Sequence, residues 1–255
     1  MVPLMYNFVL AFLVLGVFFL VYLRKKDPSI VDVAFTVSLI AMSFCSYYLI
    51  DEKTSATHLF LFMSSLWGLR LFVLLVLRYR HGQKDLRYDL LKKSFKENQT
   101  KKFFFFFLFQ AIASFFLSIN FIVAYNYQLK TGALQIISFV LFLVFLSLEI
   151  LADYQMFQFR KVHHGKQGVM NKGLWKYSRH PNYFFEIMVW CSLALFSSTT
   201  FPAIFSWTAV VMLLFFILKV TGIPVTEELL LQTKGKAYQS YQKTTSVFFP
   251  WFSKS

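Results

Sequence analysis

The residues best suited to chemistry stand together between Gly173 and Glu186, where the sequence reads G-L-W-K-Y-S-R-H-P-N-Y-F-F-E. This stretch holds Trp175, Tyr177, Arg179, His180, Asn182, Tyr183 and Glu186. A guanidinium, an imidazole, an amide and a carboxylate so close together can hold an anion, orient a planar ring and accept from hydroxyls. Pro181 has no N–H and a φ preset near the helical value, so it suits the first turn of a helix, with Ser178 or His180 at the cap. The stretch therefore predicts a polar loop running into a helix whose free N–H groups and positive dipole end face the loop. Such a junction suits an anionic ligand.

Other polar groups line up with it. Glu149, Asp153 and Arg160 have spacings of four and seven and share one face of a continuous helix. Asn182 and Glu186 are likewise four apart. Asp32 and Arg70 fall inside apolar segments, where a charge at the bilayer centre costs about 2.5–3.5 kcal/mol, so each needs a partner or a task. The run Lys84-Asp85-Leu86-Arg87-Tyr88-Asp89 follows Gly82 and predicts a turn leading to a short amphipathic helix or an ordered loop. After Glu227-Glu228, the segment from Glu228 through Tyr241 predicts an interfacial helix interrupted at Gly235. The terminal Phe249-Pro250-Trp251-Phe252 suits a membrane-interface anchor.

The elements that must position these groups are membrane helices. The chain is 57% hydrophobic, and its apolar runs approach the ~20 residues needed to cross a bilayer. Seven helices are expected, at roughly Leu4–Leu23, Ile30–Ile50, Leu59–Leu77, Phe103–Tyr125, Leu134–Met156, Pro181–Ser198 and Pro202–Val220. With that count, 23 of the 26 Lys and Arg fall in alternate loops and the tail, leaving Lys53 and Lys130 in the opposite loops and Arg70 within a helix. The positive-inside rule then puts the N-terminus outside and the C-terminus in the cytoplasm. The first run, lacking a basic leader and a cleavage site, reads as a retained helix. The expected fold class is all-α, a polytopic membrane protein of about seven transmembrane helices around a cytoplasm-facing cavity. No repeat or linker divides it, so residues 1–255 read as one integral-membrane domain.

Several chemistries are excluded. The formal charge of +14 sits between apolar runs and follows topology, so no nucleic-acid partner is expected. Cys45 and Cys191 lie far apart in apolar runs and signal neither a disulfide framework nor a metal site. Neither dinucleotide nor phosphate-loop glycine patterns occur, nor H-E-x-x-H or a nucleophile elbow. The adjacent pair His163-His164 reads as a solvated basic loop, since neighbours on a helix face different ways. No metal is expected.

Gly-Leu-Trp-x-Tyr-x-Arg-His-Pro-Asn-Tyr with Glu186, preceded by Asp153 and Arg160 and followed by Tyr238, Tyr241 and Phe-Pro-Trp, resembles the steroid 5-alpha-reductase family. It is most similar to bacterial members of unassigned substrate. The likeness is strongest over about 149–252 and extends through Asp32, Trp67-Gly-Leu-Arg70 and Asp85–Tyr88. It implies a seven-helix membrane enzyme that uses NADPH to reduce a carbon–carbon double bond conjugated to a carbonyl. On that resemblance Glu149, Asp153, Arg160, Asn182 and Glu186 would hold the cofactor, joined by Arg70, Arg87, Trp175, Tyr177, Arg179, His180, Tyr183 and Tyr241. Asp32, Trp67 and Tyr88 would form the catalytic set, with Asp32, kept protonated by burial, as proton donor. Glu149 replaces an Asn and Phe185 a Gly of the relatives, and the Gln-Glu pair of the steroid enzymes is missing, so a sterol is not singled out over an isoprenoid or acyl substrate.

Membrane methyltransferases of the isoprenylcysteine type, which use S-adenosylmethionine, share Arg-His-Pro-x-Tyr and the Glu-Glu…Gly…Tyr-x-x-Tyr tail. They remain an alternative, as does a non-catalytic lipid-binding membrane protein. The expected partners are the bilayer and a lipophilic small molecule, and the expected location is a bacterial inner membrane or an endoplasmic reticulum. The oligomeric state is not legible.

Overall fold

A computed structural model describes residues 2–80, 86–127, 130–163, 168–199 and 202–253. Among these residues all regular structure is helical: α1 (Val2–Lys25), α2 (Ile30–Tyr48), α3 (Ser55–Arg80), α4 (Leu86–Phe95), α5 (Gln99–Tyr127), α6 (Ala133–His163), α7 (Pro181–Phe196), α8 (Ala203–Phe215), α9 (Ile223–Lys234) and α10 (Lys236–Thr244). A 3₁₀ turn, Gly173–Lys176, precedes α7, and a π turn, Phe216–Val220, follows α8. Six helical segments among the described residues are long and apolar enough to cross a membrane, and the chain is an integral membrane protein. Of the seven expected spans, α7 is apolar but has only 16 residues, about 24 Å at 1.5 Å per residue, against a hydrocarbon core of about 30 Å.

The chain divides into two compact units, Met1–Ser138 with Leu193–Val210, and Phe139–Ser192 with Val211–Ser255. In the first, α1, α2 and α5 pack on one another and α3 packs on α2. Lipid competes equally well for apolar side chains, so close approach and interhelical hydrogen bonds must hold such a bundle. Both are present. Asn7 donates to the hydroxyls of Ser46 and Ser118 at 2.9 and 3.2 Å. Ser43 is bonded to Ser64 at 2.8 Å and to Tyr125 at 2.9 Å. Gly68 lets α3 close on α2, where a Cβ would come within 2.5 Å of the Ile40 side chain. Met5, Leu13 and Leu20 on the outer side of α1 stay exposed in the chain itself, as lipid-facing residues do.

In the second unit the loop that joins α6 to α7 is tied down at several points. Gln155 on α6 accepts from the Leu174 amide at 3.0 Å, and the Trp175 indole donates to the Ala152 carbonyl at 3.0 Å. Gly173 sits at φ +59 with the Gln155 amide where a Cβ would go. After α8 the backbone widens, the Thr221 amide reaching back to Phe216 at 2.9 Å. Gly222 then turns the chain into α9, where a Cβ would lie 2.6 Å from the Ile217 carbonyl oxygen. Gly235, at φ +51, breaks α9 from α10, the interruption expected at that glycine.

Candidate functional site

The polar stretch Gly173–Glu186 builds two things: a locked knot around Arg179 and a second polar face beside Asn182. In the knot, Arg179 Nε donates to Glu227 Oε1 at 2.7 Å, and Nη1 donates to the carbonyls of Gln242 at 3.1 Å and Thr245 at 2.7 Å. Glu227 also accepts from Gln242 at 2.9 Å and Tyr238 at 3.3 Å, and His180 Nε2 lies 3.2 Å away. The ion pair is largely withdrawn from solvent, with side-chain exposures of 10% for Arg179 and 16% for Glu227. The terminal segment runs back along the loop. The Arg179 amide donates to Ser246, the Ser178 hydroxyl to Phe248 and the Trp251 amide to Tyr177, each at 2.8 Å.

Burial pushes the His180 imidazole below its ordinary pKa, against the opposing pull of Glu227. The ring stacks on Tyr183 with centroids 5.4 Å apart, and the His180 amide donates to the Ser178 hydroxyl at 3.1 Å at the start of α7. Tyr241 donates to the Trp175 and Ser178 carbonyls, and burial pushes its phenol well above the ordinary range. Arg179, His180, Trp175 and Tyr241 are thus committed to the protein's own groups. Tyr177 is exposed, its ring edge-on to Phe252.

The second face belongs to α6 and the first turns of α7. Asn182 donates to Asp153 Oδ1 at 3.2 Å, and one turn on, Glu186 accepts from the Trp190 indole at 2.9 Å. Because α6 runs unbroken from Ala133 to His163, Glu149, Asp153 and Arg160 fall on one face. Glu149 and Asp153 are buried and Arg160 is exposed. Phe185 is buried with its ring stacked on Phe145 at 6.5 Å, the planes inclined by 26°. The bulk at that position goes into α6–α7 packing.

The first unit holds a separate cluster. Tyr88, on α4, donates to Asp32 Oδ1 at 2.6 Å, and Arg87 Nη2 stands 3.5 Å from Asp32 Oδ2. Asp32, in the first turn of α2, has a side chain 27% exposed. The carboxylate accepts from the Tyr88 phenol and has the Arg87 guanidinium beside its other oxygen. Trp67 on α3 is fully buried and Arg70, one turn on, is half-buried. Asp85 and His164 lie outside the described residues, which contain no group of three or more metal-ligating side chains. Sequence reasoning missed the partners of Arg179, Glu227 and the Gln242 and Thr245 carbonyls, which lie 48 to 66 residues away. The acidic pair Glu227-Glu228 in an otherwise basic tail was the available signal.

A family model described as a protein of unknown function, DUF1295, matches residues 18–245. The chain belongs to the DUF1295 family. An uncharacterized protein of Schizosaccharomyces pombe is 25% identical over an alignment covering 74% of this chain and 62% of that protein. The chain therefore spans about three fifths of the relative's length. No solved structure matches. The DUF1295 match takes in Asp32, Tyr88, the α6 face and the Arg179 knot.

Proposed function

We propose that this DUF1295 protein is a membrane-embedded, NADPH-dependent reductase of a carbon–carbon double bond conjugated to a carbonyl, related to the steroid 5-alpha-reductases. The observation that carries the reading is the Tyr88 phenol, held 2.6 Å from Asp32 with Arg87 against the same carboxylate. Reducing an enone requires an acid at the oxygen that becomes enolate-like, and a positioned phenol is such an acid. Transfer of a methyl group from a sulfonium to a nucleophile requires none. In addition, Glu227, in the acidic tail that would favour S-adenosylmethionine, is taken up by Arg179, Gln242 and Tyr238.

The residues of the second unit fit a nicotinamide cofactor in their chemistry. Asp153, buried and bonded to Asn182, can accept from a ribose hydroxyl, Asn182 can pair with an amide, and the exposed Arg160 suits a phosphate. When bound, NADPH would supply hydride to the β-carbon of the substrate. In the first unit Asp32 fixes the Tyr88 phenol, and the Arg87 guanidinium stands 5.9 Å from the Tyr88 ring centroid, within reach of its face. The distribution of Lys and Arg supports a cytoplasmic position for the α6–α7 loop and the tail, where NADPH is available.

Ligand binding to the purified protein tests the reading. Saturable NADPH binding, weakened at least about tenfold in Asn182→Ala through loss of a buried hydrogen bond, is the expected result. Binding of S-adenosylmethionine in its place, or of neither, overturns it.

A further inference from the structure

In the second unit an open pocket of about 300 Å³ lies between the α6–α7 loop and one face of α10. Asn171, Lys176, Ser240, Tyr241, Thr244 and Thr245 line most of it, and no carboxylate is among the lining residues. The Tyr241 hydroxyl is spent on the Trp175 and Ser178 carbonyls, so its ring serves as a wall. The lining residues that carry donors include Lys176 with its ammonium, Asn171 with its amide and Ser240 with its hydroxyl. Lys236 and Lys243 are exposed on α10, about a turn to either side of Ser240. An amide, a hydroxyl and an ammonium without an opposing carboxylate select an anion with several oxygens.

The position of the pocket narrows the ligand. Its loop leaves the end of membrane-length α6 and leads into α7, which puts it level with lipid headgroups. The terminal segment reaches the pocket through Ser253 and is fixed beside Lys176 by the Trp251 amide on the Tyr177 carbonyl. There Phe249, Trp251 and Phe252 are 68%, 70% and 79% exposed, three large aromatic side chains of the kind that settle at a bilayer interface. A cavity of this size is at the small end for ligand sites and suits a headgroup better than a dinucleotide. It is also distinct from the Asn182–Asp153 face. We propose that this pocket binds the phosphate ester of an anionic lipid headgroup, with the terminal aromatics in the adjoining acyl boundary. Occupancy would join the α6–α7 loop to α10.

The full chain, delipidated in neutral detergent, is titrated with phosphatidylglycerol or phosphatidylcholine. Bound lipid is counted by native mass spectrometry and the melting temperature is followed in parallel. Retention of phosphatidylglycerol and a raised melting temperature are expected, with little of either for phosphatidylcholine. Lys176→Glu should weaken phosphatidylglycerol binding by at least about fivefold. Lys101→Glu, which makes the same charge change on α5 in the other unit, should leave it intact. Equal losses in the two variants, or none in Lys176→Glu, overturn the proposal. Should Lys176→Glu not fold, Ser240→Leu fills the pocket without altering charge, and undiminished lipid retention in that variant overturns it equally. Glycerol 3-phosphate displacing the lipid at comparable concentration overturns the lipid assignment in favour of a soluble phosphate ester.

Discussion

Arg179 stands in the motif that suggests anion binding, yet its guanidinium is bonded to Glu227 and to two tail carbonyls. If its task is to clamp the tail, Arg179→Ala must loosen the tail before it affects any ligand. Breaking a buried ion pair from one side costs about 3–5 kcal/mol. Glu227 keeps hydrogen bonds from Gln242 and Tyr238, so the low end applies, about 3 kcal/mol, equivalent to roughly a hundredfold rise in the opening equilibrium of the terminal segment. Hydrogen exchange reads this directly at the amides that tie loop to tail, those of Arg179 and Trp251, bonded to Ser246 and Tyr177. Arg179→Lys restores the charge but not the fork that reaches three acceptors, so it should recover only part of the protection. An Arg179→Ala protein with unchanged exchange in the tail and lost NADPH binding would refute the clamp and make Arg179 a phosphate ligand.

Tyr88→Phe should keep NADPH affinity and lower turnover of an enone by roughly 10²–10⁴-fold, the usual worth of a positioned general acid; steady-state kinetics with a generic lipophilic enone checks it, and undiminished turnover removes Tyr88 from the mechanism. Burial depresses the His180 pKa, so the folded state resists a proton that the unfolded chain accepts near pH 6.5. Stability is therefore fully present above that pH and falls as pH drops from there toward the lower folded value. Melting curves between neutral and mildly acidic pH should show the decline, and His180→Phe should flatten it. Gly68→Val, which drives a side chain into Ile40 at a separation of 2.5 Å, should destabilise the α2–α3 contact by about 1–3 kcal/mol, read as a lower melting temperature with intact NADPH binding.

How far the sequence discloses this molecule depends on the range of the interaction concerned. Hydropathy and charge are properties of single segments, so six of the seven expected spans, the turn at Gly235 and the shared face of Glu149, Asp153 and Arg160 were legible. Short α7 marks the limit of that signal, since the expected span ran to Ser198 whereas the helix stops at Phe196, where the sequence turns to Ser-Ser-Thr-Thr. The partners of Arg179 lie beyond it, because a guanidinium reads alike whether it awaits a phosphate or a carboxylate 48 residues on. The same holds for Asp32. Its placement inside an apolar run implied a partner, and only the approach of α4 reveals the Tyr88 phenol and the Arg87 guanidinium beside it. Where a polar residue in a membrane chain must have a partner, the sequence announces the need but not the partner. That partner decides whether the residue binds a ligand or holds the fold: Arg179 and Glu227 satisfy each other and hold the tail against the loop.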